Sequence, residues 1–169
     1  KKILVIDLDP QGNATTGLGL SNLESKDTIY EVLIGEKKFE NIIKKTNVEN
    51  LNLITSNVDL SGLEVETVGD NKRVFLLKKK LEEYLSLSEA HYSYVFIDCP
   101  PSLTLLTVMA LVTSHSLIVP LQTEFFALEG LTQLMKTIER ITDQLNSNLN
   151  IRGILLTMFD KRNKLSSQV

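Results

Sequence analysis

A chain of 169 residues, 43% hydrophobic and 23% charged with no tryptophan, can hold one substantial core but is short for two ordinary domains. Its formal net charge of −3 supplies no global pull toward nucleic acid or an anionic membrane, so a nucleic-acid role needs a local patch. One cysteine, Cys99, excludes an internal disulfide and a multi-cysteine zinc site, and no apolar run approaches the roughly 18 residues of a membrane span.

The chain begins Lys1-Lys2 and passes at once into a predicted strand, Ile3–Leu8, inside "ILVIDLDPQGNATT". That strand ends on two aspartates, Asp7 and Asp9. Adjacent carboxylates repel, and burying either one unpaired is costly, so the pattern calls for a cation or a polar ligand beyond the strand. A short helix is predicted over Thr28–Ile34 with Asp27 as its cap, followed by a strand over Leu51–Thr55. Helical spacing over Asn71–Leu85 puts Val74, Leu77, Leu81 and Tyr84–Leu85 on one stripe, leaving Lys78–Lys80 and Glu82–Glu83 to a solvated face.

Next come a strand over Tyr94–Asp98, a helix over Ser102–Val112 that is apolar all round, and a strand over Leu117–Leu121. A long helix over Ala127–Leu145 repeats Leu128, Leu131, Leu134–Met135, Ile138, Ile141 and Leu145 at core-facing spacing. The last strand is Ile151–Thr157, and "LSSQV" reads as the opening of an unfinished helix. Both ends look cut rather than capped, which suggests a fragment. With no signal-peptide pattern, the expected location is cytoplasmic.

Strands alternating with helices predict an α/β fold: three layers, a mostly parallel twisted sheet with helices on both faces, incomplete at both ends. Ligands in such sheets sit beyond the carboxyl ends of the strands. The aspartate pair, the "DCPP" turn and the "QTEFF" stretch all follow strands and are expected on one edge.

"YVFIDCPPS" has the form of a Walker B element, an apolar strand whose terminal Asp98 serves Mg²⁺, often through water. Pro100-Pro101 ends the ladder. By itself an Asp at a strand end is equally a cap for the next helix. Combined with "DLDPQGNAT", the pattern resembles the ParA/Soj family of partition ATPases, the deviant-Walker P-loop group that also includes MinD and the nitrogenase iron protein. The match is carried by "VIDLDPQGNATTGLG", "LITSNVDLSGLE", "YVFIDCPPSLTLLTVMAL", "LIVPLQTEFFALEGLTQL" and "GILLTMFDKRNKLSSQV", in family order over nearly the whole chain.

The resemblance implies a P-loop NTPase-like fold in a single ATPase domain, here partial, over residues 1–169. It places Asp9 as the catalytic acid that positions the attacking water, Asp7 near the Mg²⁺ water shell, and Asp98 as the metal-side carboxylate. Gln11, Gly12 and Asn13 fall in a switch-like loop on the nucleotide side, with Pro100 beside the nucleotide. It also implies ATP and Mg²⁺ as cofactors, an ATP-bound homodimer, non-specific DNA and a ParB-type centromere-binding protein as partners, no membrane, and a nucleoid-associated cytoplasmic location. The family's "KGGVGKTT"-type P-loop does not occur in these residues; it would require about 30–40 residues ahead of Lys1. The family chain also continues beyond Val169.

Glu124, Asp160, Lys161, Arg162 and Lys164 are possible site-edge residues or solvated ones. Cys99 reads as a small buried neighbour of the site with no base beside it, and His91 and His115 as structural or surface residues. Two other functions compete. A haloacid-dehalogenase-type phosphatase also starts with a strand ending in Asp-x-Asp, but it wants Gly-Thr where Pro10-Gln11 stands. A non-catalytic binding module would keep the fold without turnover. A MinD-like membrane ATPase is expected to fit less well: it needs a C-terminal amphipathic helix, which these residues do not include, and the "DPQGNAT" run argues against it.

Overall fold

Alternating apolar side chains build the centre of the sheet. In the computed structural model, β1 (Ile3–Asp7) runs parallel to β3 (Leu51–Ile54) on one side and to β4 (Tyr94–Asp98) on the other. The structure describes residues 1–20, 27–87, 91–123, 127–159 and 162. These fall into two units, Lys1–Thr113 and Ser114–Val169.

In the first unit a further strand, β2 (Ile43–Lys45), joins antiparallel to β3, so the order is β2-β3-β1-β4. The predicted elements do not include β2. Three residues, "IKK", are too few to show an alternation, and only pairing with Asn52–Ile54 makes them a strand.

Leu4, Ile6 and Leu8 point into one cluster with Ile54, Leu77, Leu81, Met109 and Ala110. The cluster is closed by α5 (Leu76–Leu87) and α6 (Leu105–Thr113), which pack on each other. Seven residues of α6 are buried, Leu105, Leu106, Thr107, Met109, Ala110, Leu111 and Val112, as a helix without a polar face requires. The predicted helix over 71–85 instead begins as a 3-10 turn (Arg73–Phe75) and runs on to Leu87, with Leu77, Leu81 and Tyr84 inward and Leu85 exposed.

On β4 the side chains of Tyr94 and Phe96 are 51% and 48% exposed, while Val95 and Ile97 pack against the core.

The cap of α2 (Ile29–Leu33) is Thr28, not Asp27. The Thr28 hydroxyl accepts from the Tyr30 N–H, and the Glu31 carboxylate accepts from the Thr28 N–H and hydroxyl at 2.8 Å each, a closed capping box. Asp27 pairs with Lys37 instead. Short helices α3 (Phe39–Ile42) and α4 (Leu63–Glu66) complete this unit, together with α1 (Asn13–Gly17) beside β1.

In the second unit, β5 (Ser116–Gln122) and β6 (Asn150–Thr157) pair in parallel, joined through α7 (Ala127–Gln144). Ile138, Ile141 and Val119 are buried there. The side chain of Leu128, part of the predicted stripe, lies outside the described residues. Asn146 donates to the Ser114 carbonyl at 2.7 Å and Asn150 to that of His115 at 2.9 Å, tying the end of α7 and the start of β6 to the start of β5. Among the described residues, no helix is long and apolar enough to cross a membrane.

Candidate functional site: the acidic rim of β1 and β4

Asp7 closes β1 and is fully buried. A lone ionised carboxylate there would be prohibitive, and the fold satisfies it from one loop. Its Oδ1 accepts from the Asp9 N–H at 3.1 Å, and its Oδ2 accepts from both the N–H and the hydroxyl of Thr15 at 2.7 Å. These charge-assisted bonds make Asp7 the hub of the 9–15 loop. The resemblance puts Asp7 near the metal's water shell; here its hydrogen bonds are spent on the loop.

Asp9 follows, half-buried. Its Oδ1 accepts from the Gln11 N–H at 2.9 Å and its carbonyl from the Gly12 N–H at 2.9 Å, folding the chain back on itself. The turn needs Gly12 in the left-handed region, with φ 64 and ψ 35, where a Cβ is penalised. Asn13 then starts α1. Gly12 is buried, and Gln11 and Asn13 are exposed.

Asp98 ends β4 directly opposite Asp7 in the parallel ladder. The Leu8 N–H donates to the Asp98 carbonyl at 2.7 Å, which carries the pairing one step past the strand ends. Asp98 is exposed at the rim. Lost hydration on its protein-facing side raises its pKa above the ordinary 3.8, and the negative charges of Asp7 and Asp9 raise it further. The three acids therefore share one electrostatic neighbourhood.

Next to it, burial first and then Asp98 and Asp9 push the Cys99 thiol up to about 11, which keeps it protonated at neutral pH and unsuited to nucleophilic attack. The Pro100 carbonyl accepts from the Thr107 hydroxyl at 3.1 Å, and the Ser102 carbonyl accepts from the same hydroxyl, so α6 holds the turn after β4.

The rim suits a hard divalent cation. Asp98 offers carboxylate oxygens at an open strand end, and the mutual repulsion recorded in its raised pKa is what a cation would relieve. Among the described residues no group of three or more Asp, Glu, His or Cys converges on a metal position. A cleft of about 300 Å³ in the same unit, lined by Phe39, Tyr84, Lys38 and Lys80, contains none of these acids; the candidate site is an open rim.

Sequence reasoning stopped at Asn13 and missed Thr15. The available signal was a buried-compatible hydroxyl inside a polar loop, eight residues after an acid that needed a partner. Glu124, Asp160, Lys161 and Lys164 lie outside the described residues, and Arg162 is exposed in a turn.

A protein-family model described as "AAA domain" matches residues 1–151. The chain belongs to that family. Within it the likeness is to the ParA/Soj proteins. The chain is 48% identical over all 169 residues to the chromosome partitioning protein ParA of Caulobacter vibrioides, and 44% identical to the sporulation initiation inhibitor protein Soj of Bacillus subtilis. It covers 62% and 65% of the length of these relatives. Among solved structures, cobyrinic acid a,c-diamide synthase from Mycobacterium smegmatis, with a bound ATP analogue and magnesium, superposes with a TM-score of 0.91. That match has 34% identity and covers 99% of this chain and 67% of the other. The α/β fold expected from the sequence is thus the family's fold, and residues 1–151 place the acidic rim inside it.

Proposed function

We propose that the protein containing this chain is an ATP-hydrolysing partition protein of ParA/Soj type, with residues 1–169 as part of a single ATPase domain. The observation that carries the reading is the meeting of Asp98 with the Asp7–Asp9 strand end at one rim, in a chain 48% identical to a partition protein. The relative with the bound ATP analogue and magnesium supports the nucleotide and the metal. Its name offers a second activity, amide synthesis, but its 34% identity ranks below the 48% and 44% of the partition relatives.

In this reading Asp9 orients the attacking water. Its carboxylate is half-exposed and anchored through Gln11, so it can hold a water without a large reorganisation. Asp98 faces the metal, with Asp7 acting behind it on the loop. Gln11, Gly12 and Asn13 carry the nucleotide-side loop, and Pro100, held through Thr107, lies beside the nucleotide. Magnesium, when bound, neutralises developing phosphate charge. ATP joins two copies, the dimer binds DNA without sequence preference on the nucleoid, and a ParB-type protein stimulates hydrolysis. Such DNA affinity falls steeply with salt.

The test is ATP turnover by the full-length protein, alone and with DNA and a ParB-type protein. Asp9→Ala should keep ATP-dependent dimerisation and lose most turnover, about a hundredfold or more. Undiminished hydrolysis in that variant removes Asp9 from the role, and a wild-type protein that neither binds nor hydrolyses ATP rejects the function.

A further inference from the structure

We infer that Thr15 is a positioning residue for Asp9: its hydroxyl clasps β1, α1 and the end of β3 together and thereby sets where the Asp9 carboxylate stands. The inference rests on the role proposed above for Asp9, but its structural basis is independent of that role.

Thr15, Asp7 and Ser56 are all fully buried. A hydroxyl has one proton and two lone pairs. The Thr15 proton is committed to Asp7 Oδ2 at 2.7 Å, and a lone pair accepts from the Ser56 N–H at 3.1 Å, so the direction of the relay is determined. Ser56 lies two residues past β3, and Asp7 is the last residue of β1. One side chain on α1 therefore joins the ends of two neighbouring strands.

The link to Asp9 is short. Asp7 Oδ1 holds the Asp9 N–H, Oδ2 holds Thr15, and the same carboxylate thus closes both ends of the loop that carries Asp9, Gln11 and Gly12. A carboxylate turns as a rigid unit. With the Thr15 hydroxyl gone, Oδ2 keeps only the Thr15 N–H, the Ser56 N–H loses its acceptor, and the plane of Asp7 is held by two backbone N–H bonds instead of three donors. Asp9 then shifts with its own N–H. Displacements of this size, about 1 Å, can cost up to about a hundredfold in a reaction that depends on placement.

Thr15→Val keeps the shape and removes the hydroxyl; Thr15→Ser keeps the hydroxyl. In the full-length protein, Thr15→Val should lower kcat about tenfold or more with KM for ATP within about twofold, while Thr15→Ser stays within about threefold of wild type. Without nucleotide, amide exchange at Asp9 and Thr15 should quicken in Thr15→Val and not in Thr15→Ser, well below the melting point of either. Turnover by Thr15→Val within about twofold of wild type, equal impairment in both variants, or a kcat loss without faster exchange overturns the positioning role. If Thr15→Val does not fold, Thr15→Cys, with its weak donor, replaces it under the same criteria. A wild-type protein without ATPase activity rejects the proposed function, and the exchange measurement then decides the clasp alone.

Discussion

Asp7 and Asp98 sit opposite each other on adjacent parallel strands, same residue type, same register, opposite treatment. Asp7 is sealed from solvent and accepts three hydrogen bonds from its loop. Asp98 is exposed, and its pKa is raised by lost hydration and by the acids beside it. The β1 strand is followed by a loop that folds back over its end; the β4 strand is followed by two prolines that lead the chain away. One carboxylate becomes a structural anchor and the other is left available for a ligand. Identity and spacing of residues do not distinguish them; the path of the next few residues does.

The largest expected effect is on the anchor. Asp7→Ala leaves the Asp9 N–H and both Thr15 donors without their acceptor in a buried place, and should cost about 3 kcal/mol by denaturant unfolding of the full-length protein. A loss under about 1 kcal/mol would mean that the buried network is not holding the loop. Thr28→Ala sharpens the scale. It removes a hydroxyl bonded to a carboxylate at the start of a helix, in the same unit, and should cost about 1 kcal/mol in the same measurement.

The smallest effect belongs to Asp98, and its sign is opposite. A carboxyl whose folded pKa lies above its unfolded value contributes stability that is complete below that value and is lost as pH rises through the folded pKa. Ionised Asp98 therefore weakens the metal-free fold at neutral pH. Asp98→Asn should raise the neutral-pH melting temperature slightly, on the order of 1 °C because solvent screens an exposed group, and should flatten the pH dependence of melting just above 3.8. The same variant should lose magnesium-dependent nucleotide binding. A melting temperature that falls in Asp98→Asn would erase the contrast with Asp7.

Much of this arrangement was legible in the residues. The boundaries of β4 are those its apolar run predicts, Tyr94–Asp98, because a short run ended by Asp and two prolines has few alternatives. The α6 helix is buried because no face of "LLTVMALVT" is polar. The site acids were marked by two carboxylates standing where an apolar strand stops. Less was legible where one residue type serves two purposes. Asp27 and Thr28 are both good caps, and "TIYE" carries the stronger reciprocal signal that decides for Thr28.

The sequence by itself determined the alternating elements, the acidic strand ends and the family, since each is written in local pattern and identity. Only the tertiary structure decided that Asp7 anchors a loop while Asp98 faces out, that Thr15 joins three elements, and that Ile43–Lys45 is a strand. The physical reason is that burial and hydrogen-bond partners across dozens of residues are properties of packing. A lone residue has a donor or an acceptor, and the fold chooses which partner, if any, meets it.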